Sequence, residues 1–470
     1  MRREKLHSAE PKHFPILAGS PATLRGTGGT AAGYRVGVTS REPRRPLGRA
    51  DEAHLLLDRG SNVYVITVAG LLGPGGCVEP GGAIDLDRLR RTVASRVATA
   101  PRLSGRLERR QDRTELVPCV IDLESHVRIV EAVAGLDGFL GLCSGLATVR
   151  LPMDRPLWEL LIVPGAQPDG VGIVLRVHHA IADGVMAAQL LRRLFDPGDE
   201  GSMLPHPVVR PTRSTESSLS RGGSRAPHLV LDLVRWLPRT RMLGPLGPDR
   251  RLDVTTFELA DVSAGSRSSG GTVNDALLAA LTAGVRDAYG VLGEAVPAQF
   301  PVSVPVLLPG HDDETNQVSA MIVRLPLSTL DVRGTIALIA SRTAHAAESV
   351  RSRPLPWFFR TRIGASMMRS YIARQRSVGV VSTNVRGPAE TWVLAGAPLQ
   401  SVWALPILGG NVRTAVAALS YRGRLSVCVL WDAQLGAAGD RLALRIGETL
   451  AEIAAAGRAN PASAERAPGS

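Results

Sequence analysis

Two adjacent histidines at the junction of a strand and a helix constrain this chain more than any other stretch: His178-His179-Ala180-Ile181-Ala182-Asp183-Gly184. The run before them, Val171 to Val177, is mostly apolar and rich in β-branched residues, which predicts a buried strand. After them Met186, Leu190, Leu191 and Leu194 fall on one helical face, and Asp183 is placed to cap that helix. Such a junction projects side chains into a cleft from a fixed backbone. Neighbours on an extended chain point to opposite faces, so the two imidazoles cannot serve one small substrate or one metal ion together without a kink. One is expected to act as a base and the other as a buried support. Asp183 is expected to hold the local backbone or meet an arginine, and Gly184 to permit a tight turn. The alternative is that both histidines are satisfied core residues. Average residue usage makes the pattern a chance event in roughly one chain in a thousand of this length, which favours a working site.

A chain of 470 residues predicts two domains. Its 44% apolar and 21% charged content is that of a folded, water-soluble protein. The net charge of +12 is local: residues 1–50 hold ten basic against three acidic side chains and residues 201–250 eight against three, which accounts for the whole excess. The basicity belongs to a tail and a connector, so no nucleic-acid partner is expected. Cys77, Cys119, Cys143 and Cys428 form no CxxC pair, against a zinc module or disulfide framework and for a reducing compartment. The longest uncharged run, Thr391 to Val412, is broken by Pro398, Pro406 and Gly409-Gly410 and is rejected as a membrane span. With no signal peptide, the expected location is the cytoplasm, or the periphery of the inner face of the plasma membrane.

Residues 1–46, rich in Arg, Gly, Pro, Ser and Thr, are expected to be a disordered basic tail, and 457–470 a second one. The stretch 47–197 reads as a first α/β lobe, with a strand over Val63 to Gly70 and a helix capped by Asp85 that buries Leu89, Val93 and Val97. Residues 198–254 read as a basic linker with a short apolar helix over 226–243, either packed on the body or docked on an anionic membrane surface. A second lobe is expected over 255–456: a helix capped by Thr272, strands near 300–306, 319–325 and 379–384, a hairpin of 412–419 with 425–431, and a closing helix over 440–456.

The signature at 178–184 resembles the HHxxxDG motif of the coenzyme A-dependent acyltransferase superfamily. Asp154-Arg155-Pro156-Leu157-Trp158-Glu159-Leu160 is similar to the PLW segment of the bacterial wax ester synthase/diacylglycerol acyltransferase family. Thr272-Val273-Asn274-Asp275 resembles its ND motif, and Ser382-Thr383-Asn384-Val385-Arg386-Gly387-Pro388 its SNVPGP segment. All stand in the family's order. The chain departs at Arg386, where the family usually has proline, and at Thr315, where glycine is commoner. Arg386 therefore alters the turn or meets a phosphate of coenzyme A.

The resemblance implies an α/β fold of two chloramphenicol-acetyltransferase-like lobes, each a mixed sheet with helices, with the active site in a tunnel between them. It implies transfer of a fatty acyl group from acyl-CoA to a hydroxyl acceptor, a diacylglycerol or a long-chain alcohol, by direct attack without an acyl-enzyme. Acyl-CoA is then a co-substrate, with no cofactor and no metal. His179 is the implied general base, with a free pKa of about 6.5 suited to the task. His178 and Asp183 are its supports, Arg155 a candidate partner of Asp183, and Pro156, Leu157 and Trp158 the tunnel wall. Asn274 is expected to bind the oxyanion or fix the lobe interface, Asp275 to favour the helix dipole, and Asn384 and Arg386 to contribute to substrate binding. The lipid acceptor is compatible with docking at a membrane or lipid-droplet surface. Two alternatives are an acyltransferase of secondary metabolism taking its acyl group from a carrier protein, and an inactive lipid-associated relative. The absence of G-x-S-x-G and of GK[ST] argues against a serine hydrolase and a P-loop enzyme.

Overall fold

Capped amphipathic helices and β-branched runs assemble around two mixed sheets. The computed structural model describes residues 35–36, 44–110, 113–182, 191–197, 237–307, 318–327, 331–350 and 370–459. The N-terminal half contributes α1 (Arg49–Leu57), β1 (Val65–Leu72), α2 (Leu86–Val97), β2 (Val127–Ile129), α3 (Gly135–Leu146), β3 (Trp158–Gln167), β4 (Gly170–His178) and β5 (Asp196–Pro197). As its sequence predicts, α2 starts where Asp85 accepts from Arg88 N at 2.8 Å, and it buries Leu89, Val93 and Val97. The C-terminal half contributes β6 (Arg250–Glu258), α4 (Leu259–Arg267), α5 (Val273–Leu292), β7 (Gln299–Leu307), β8 (Val318–Pro326), α6 (Val332–Val350), β9 (Val380–Arg386), β10 (Trp392–Leu394), β11 (Ala397–Leu405), β12 (Thr414–Tyr421), β13 (Arg424–Asp432) and α7 (Ala437–Ala459).

The first sheet runs β5-β10-β11-β1-β4-β3-β2 and the second β6-β13-β12-β9-β7-β8. Both are mixed: β2 runs parallel to β3, and β9 parallel to β7 and β12. The strand that ends at His178 lies between β1 and β3 and is buried along its whole length. Its neighbours on both sides therefore fix where the histidines emerge.

The second lobe is not the single stretch expected over 255–456. Strands β10 and β11 leave it and complete the first sheet, pairing with β5 and β1. Their connection is a two-residue turn with positive φ at both Ala395 and Gly396, the primed geometry whose twist suits a hairpin. A side chain on Gly76 would strike the Gly396 backbone at 2.3 Å, so glycine is what lets the crossing hairpin seat on the first lobe. Tyr421 fastens it from the other side: its hydroxyl donates to Leu399 O at 2.7 Å and accepts from Trp392 N at 2.9 Å. The prolines and glycines that rule out a membrane span had concealed a strand pair. Among the described residues no helix is long and apolar enough to cross a membrane.

Two other boundaries move. Arg250–Glu258, of which the first five residues were expected in the linker, is an edge strand paired along its whole length with β13. Of the apolar helix expected over 226–243, only 237–243 are described; these are irregular, with a turn at 241–242 and a bridge from Leu243 to Val412. Within the segment expected to be structureless at 1–46, Arg35–Val36 pairs with Ile121–Asp122 and Arg45–Pro46 with Glu115 and Leu116. Val36 is buried there, which gives that short pairing an apolar anchor. Between the sheets lies α3, whose Phe139 and Cys143 share one apolar cluster with Leu161 and Val174 of the first lobe and Val254 and Cys428 of the second.

Candidate active site

Strand alternation gives the two histidines different places. His178 is fully buried and uses both ring nitrogens: Nδ1 accepts from Ala180 N at 3.0 Å, so Nε2 carries the hydrogen and donates to Asp58 Oδ2 at 3.0 Å. A ring held at both nitrogens has neither left to take a substrate's proton. His179 is half-buried, its N–H donating to Tyr64 O at 2.8 Å and its ring lying 4.0 Å from that of His54. The signature thus sets one fully buried imidazole, held at both nitrogens, beside a histidine that is only half-buried.

Three residues that sequence reasoning missed complete this cluster. His54 lies in the last turn of α1, and Asp58, four residues on, is the C-cap whose N–H donates to His54 O. Arg150 clamps the loop that follows, giving Nε to Asp58 Oδ1 at 2.7 Å and Nη2 to Gly60 O at 2.8 Å. The signal was present as His-x-x-x-Asp on the opening helix, but nothing in one sequence says what that helix packs on. Burial, reinforced by the charges His179 and His178 can carry, pushes His54 down to about 3. Burial, then Asp58, pushes Tyr64 up to about 12. Both neighbours of His179 are therefore uncharged near neutrality.

The segments named from the resemblance divide. Asp183 and Gly184 lie outside the described residues, and with them the capping of the following helix and the expected pairing with Arg155, whose guanidinium meets Asp154 at 3.2 Å. Just before them, Ile181 O accepts from Arg102 at 3.5 Å, and Arg102 pairs with the buried Asp51. Pro156, Leu157 and Trp158, expected on a tunnel wall, are buried in the core of the first lobe. Trp158 donates to Leu103 O at 2.8 Å and stacks on His126. Their link to the site is through the backbone, since Leu157 O accepts from His178 N at 2.9 Å. In the second lobe, Asn274 is half-buried in the first turn of α5, while Asn384 and Arg386 are exposed on β9. Asp275 spends both carboxylate oxygens on structure, accepting from Thr272 N and Oγ1 at 2.9 and 2.7 Å and from Thr343 Oγ1 at 2.8 Å. Thr315 is outside the described residues.

One strut joins the lobes near the site. The buried Arg250 on β6 pairs with Asp432 at 3.2 Å and donates from Nη2 to Ser61 O at 2.7 Å, inside the loop that Arg150 clamps. Among the described residues no group of three or more His, Cys, Asp or Glu side chains could hold a metal ion.

Residues 49–237 match the wax ester synthase/diacylglycerol acyltransferase catalytic domain, and 315–454 the C-terminal domain of the same family. Among relatives, Rv1760 of Mycobacterium tuberculosis, provisionally named a diacylglycerol O-acyltransferase, is 30% identical over 66% of this chain and 70% of its own length. Tgs1 of the same species, with the same provisional name, is 27% identical over 80% of this chain and 90% of its own. The wax ester synthase/diacylglycerol acyltransferase of Marinobacter aquaeolei VT8 superposes with a TM-score of 0.64 at 19% identity, covering 87% of this chain and 98% of that one. The first condensation domain of the calcium-dependent antibiotic synthetase gives 0.57 at 16%, covering 89% and 97%. The last two show the two-lobed fold alone; the matches to both family domains place this chain in the wax ester synthase/diacylglycerol acyltransferase family, as an acyltransferase of that type.

Proposed function

We propose that the chain transfers a fatty acyl group from acyl-CoA to the hydroxyl of a lipid acceptor, a diacylglycerol or a long-chain alcohol, with His179 as general base. The observation that carries this is the asymmetry of the two histidines: His178 is fully buried and held at both ring nitrogens by Asp58 and Ala180 N, whereas His179 is only half-buried. A neutral imidazole nitrogen takes the acceptor's proton as its oxygen attacks the thioester carbonyl. The tetrahedral intermediate collapses, the carbon–sulfur bond breaks, and the coenzyme A thiolate takes the same proton back from the imidazolium. The proton count closes without an acyl-enzyme, a metal or a further cofactor.

Direct attack requires both substrates at one base, which a tunnel between the lobes would provide, and exclusion of water, since hydrolysis competes for the same thioester. Asn274, in the first turn of α5, is the candidate donor to the oxyanion. Arg386, exposed on β9 with Asn384 two residues before it, is the candidate contact for a phosphate of acyl-CoA. A lipid acceptor would be collected at a membrane or lipid-droplet surface.

The test uses radiolabelled palmitoyl-CoA with hexadecanol and, separately, dioleoylglycerol, comparing the wild type with His179→Ala. Loss of a positioned base costs roughly 10²–10⁴ in rate, so kcat should fall by that factor for whichever acceptor is used. Product formed equally by both proteins would end the assignment of the base. Product formed only from an acyl-carrier protein would replace acyl-CoA as donor.

A further inference from the structure

The opening helix carries a second pattern facing the first: His54 meets His179 and Asp58 meets His178. Each half has a cost that packing alone does not explain. Asp58 is a carboxylate with a side chain only 5% exposed, held by Arg150 and by the one hydrogen His178 can offer. His54 Nδ1 is buried and makes no hydrogen bond among the described residues, where phenylalanine would fill similar space without burying a polar atom.

We propose that His54 and Asp58 are positioning residues for acyl transfer, Asp58 by fixing the tautomer of His178 and His54 by backing the ring of His179. The inference rests on His179 being the base. With Nε2–H directed to Asp58, His178 Nδ1 is left to accept from Ala180 N, which pins the chain immediately after the base. Were the hydrogen on Nδ1, it would oppose the Ala180 N–H and the turn would open. On the other side, the His54 ring at 4.0 Å and 35° covers one face of His179, and the ring of Tyr64 stands 5.8 Å behind His54. Proton transfer to an imidazole depends on its orientation toward the hydroxyl, so a base able to turn loses rate while substrate affinity is kept.

Asp58→Asn separates positioning from bulk. An amide can turn its oxygen to His178 and then present N–H groups to Arg150, or turn its nitrogen to His178 and force the other tautomer; neither restores both contacts. The full chain should show kcat lowered about 10- to 100-fold with KM for palmitoyl-CoA within twofold, and Asp58→Ala should be at least as low. His54→Ala should lower kcat about tenfold, and His54→Phe, which keeps a ring against the base, should recover most of that loss. Nitrogen-15 spectra of histidine-labelled wild type should show His178 protonated on Nε2. A folded Asp58→Asn enzyme with kcat within twofold of wild type, His54→Ala equal to wild type, or His178 protonated on Nδ1 would each overturn the proposal. If His179→Ala is itself fully active, the base assignment has failed; if it is inactive while the α1 variants match wild type, positioning by α1 has failed and the base stands.

Discussion

Each lobe presents a central antiparallel hairpin whose second strand leads to a loop, and the ends of the two strands have opposite characters. In the first lobe β4 ends at His178, and His179 follows it directly. In the second, β13 ends in Asp432, fully buried, whose Oδ2 accepts from Gly247 N at 2.6 Å and from Arg250 Nη1 at 3.2 Å, and whose Oδ1 accepts from Gln434 N at 2.9 Å. That carboxylate is held on both oxygens and fully buried, out of reach of a substrate. At the first end one ring is likewise held at both nitrogens, and the next residue is only half-buried. Equivalent places in similar sheets therefore hold a lock in one lobe and, in the other, the half-buried histidine proposed as the base.

The two ends are also connected, because Arg250 reaches from the lock to Ser61 O in the loop behind Asp58. Among single substitutions at the two ends, Asp432→Ala should be the most destabilising. Removing one partner of a buried ion pair leaves the other charge uncompensated, at about 3–5 kcal/mol, and Gly247 N loses its acceptor as well. Urea unfolding followed by circular dichroism would measure it. A loss below about 1 kcal/mol, the scale of an exposed pair, would break the contrast between a lock and a working end.

The histidine end responds to acid where the lock does not rely on an imidazole. The folded protein holds His54 down to about 3, whereas in the unfolded chain it titrates near its ordinary value of 6.5. Above pH 6.5 both states are neutral and nothing is gained or lost. Below it the unfolded chain binds a proton that the folded one refuses, so stability falls as pH drops from 6.5 toward 3. At pH 5 the loss from this residue is about 2 kcal/mol. The ionisable groups around His54 are His179, His178, Asp58 and Tyr64, and His126, lowered chiefly by burial, adds a loss of the same sign elsewhere in the lobe. His54→Phe should therefore narrow the gap in Tm between pH 8 and pH 5. A gap unchanged from wild type would mean that His54 takes up a proton in the folded state.

The same contrast governs what a single sequence reveals. Local rules are written locally: Asp85 and Thr272 cap the helices their side chains announce, β4 follows its β-branched run, and the histidine pair divides as alternation on a strand requires. Partners from distant segments leave no such trace. Asp58 stands 120 residues before His178, and Arg176, inside a run read as apolar, is buried against Glu159 and the end carbonyl of α3 at Leu146. Nor does periodicity announce that β10 and β11 cross to the first lobe, because their pairing with β5 and β1 depends on a sheet edge built about 200 to 340 residues earlier. Leu157 and Trp158 illustrate a different limit. A family segment near a site can act through its backbone, and its large side chains then belong to the core.

The smallest expected effect lies at the start of α5, where a reader of the sequence has the most complete account. Thr272 Oγ1 accepts from Asp275 N at 3.3 Å, and Asp275 returns a bond to Thr272 N, forming a reciprocal capping box. Thr272→Ala should cost about 1 kcal/mol, read as a small shift in the urea midpoint with an unchanged slope. Asp275 would keep its contacts to Thr272 N and Thr343 Oγ1, so the helix should start at the same residue and Asn274 should stay in place. The variant thus separates cap from chemistry in the second lobe. If kcat falls more than about threefold while stability moves by only that amount, the first turn of α5 would be part of the reaction, and the second lobe would contribute to the transfer step as well as to the lock at Asp432.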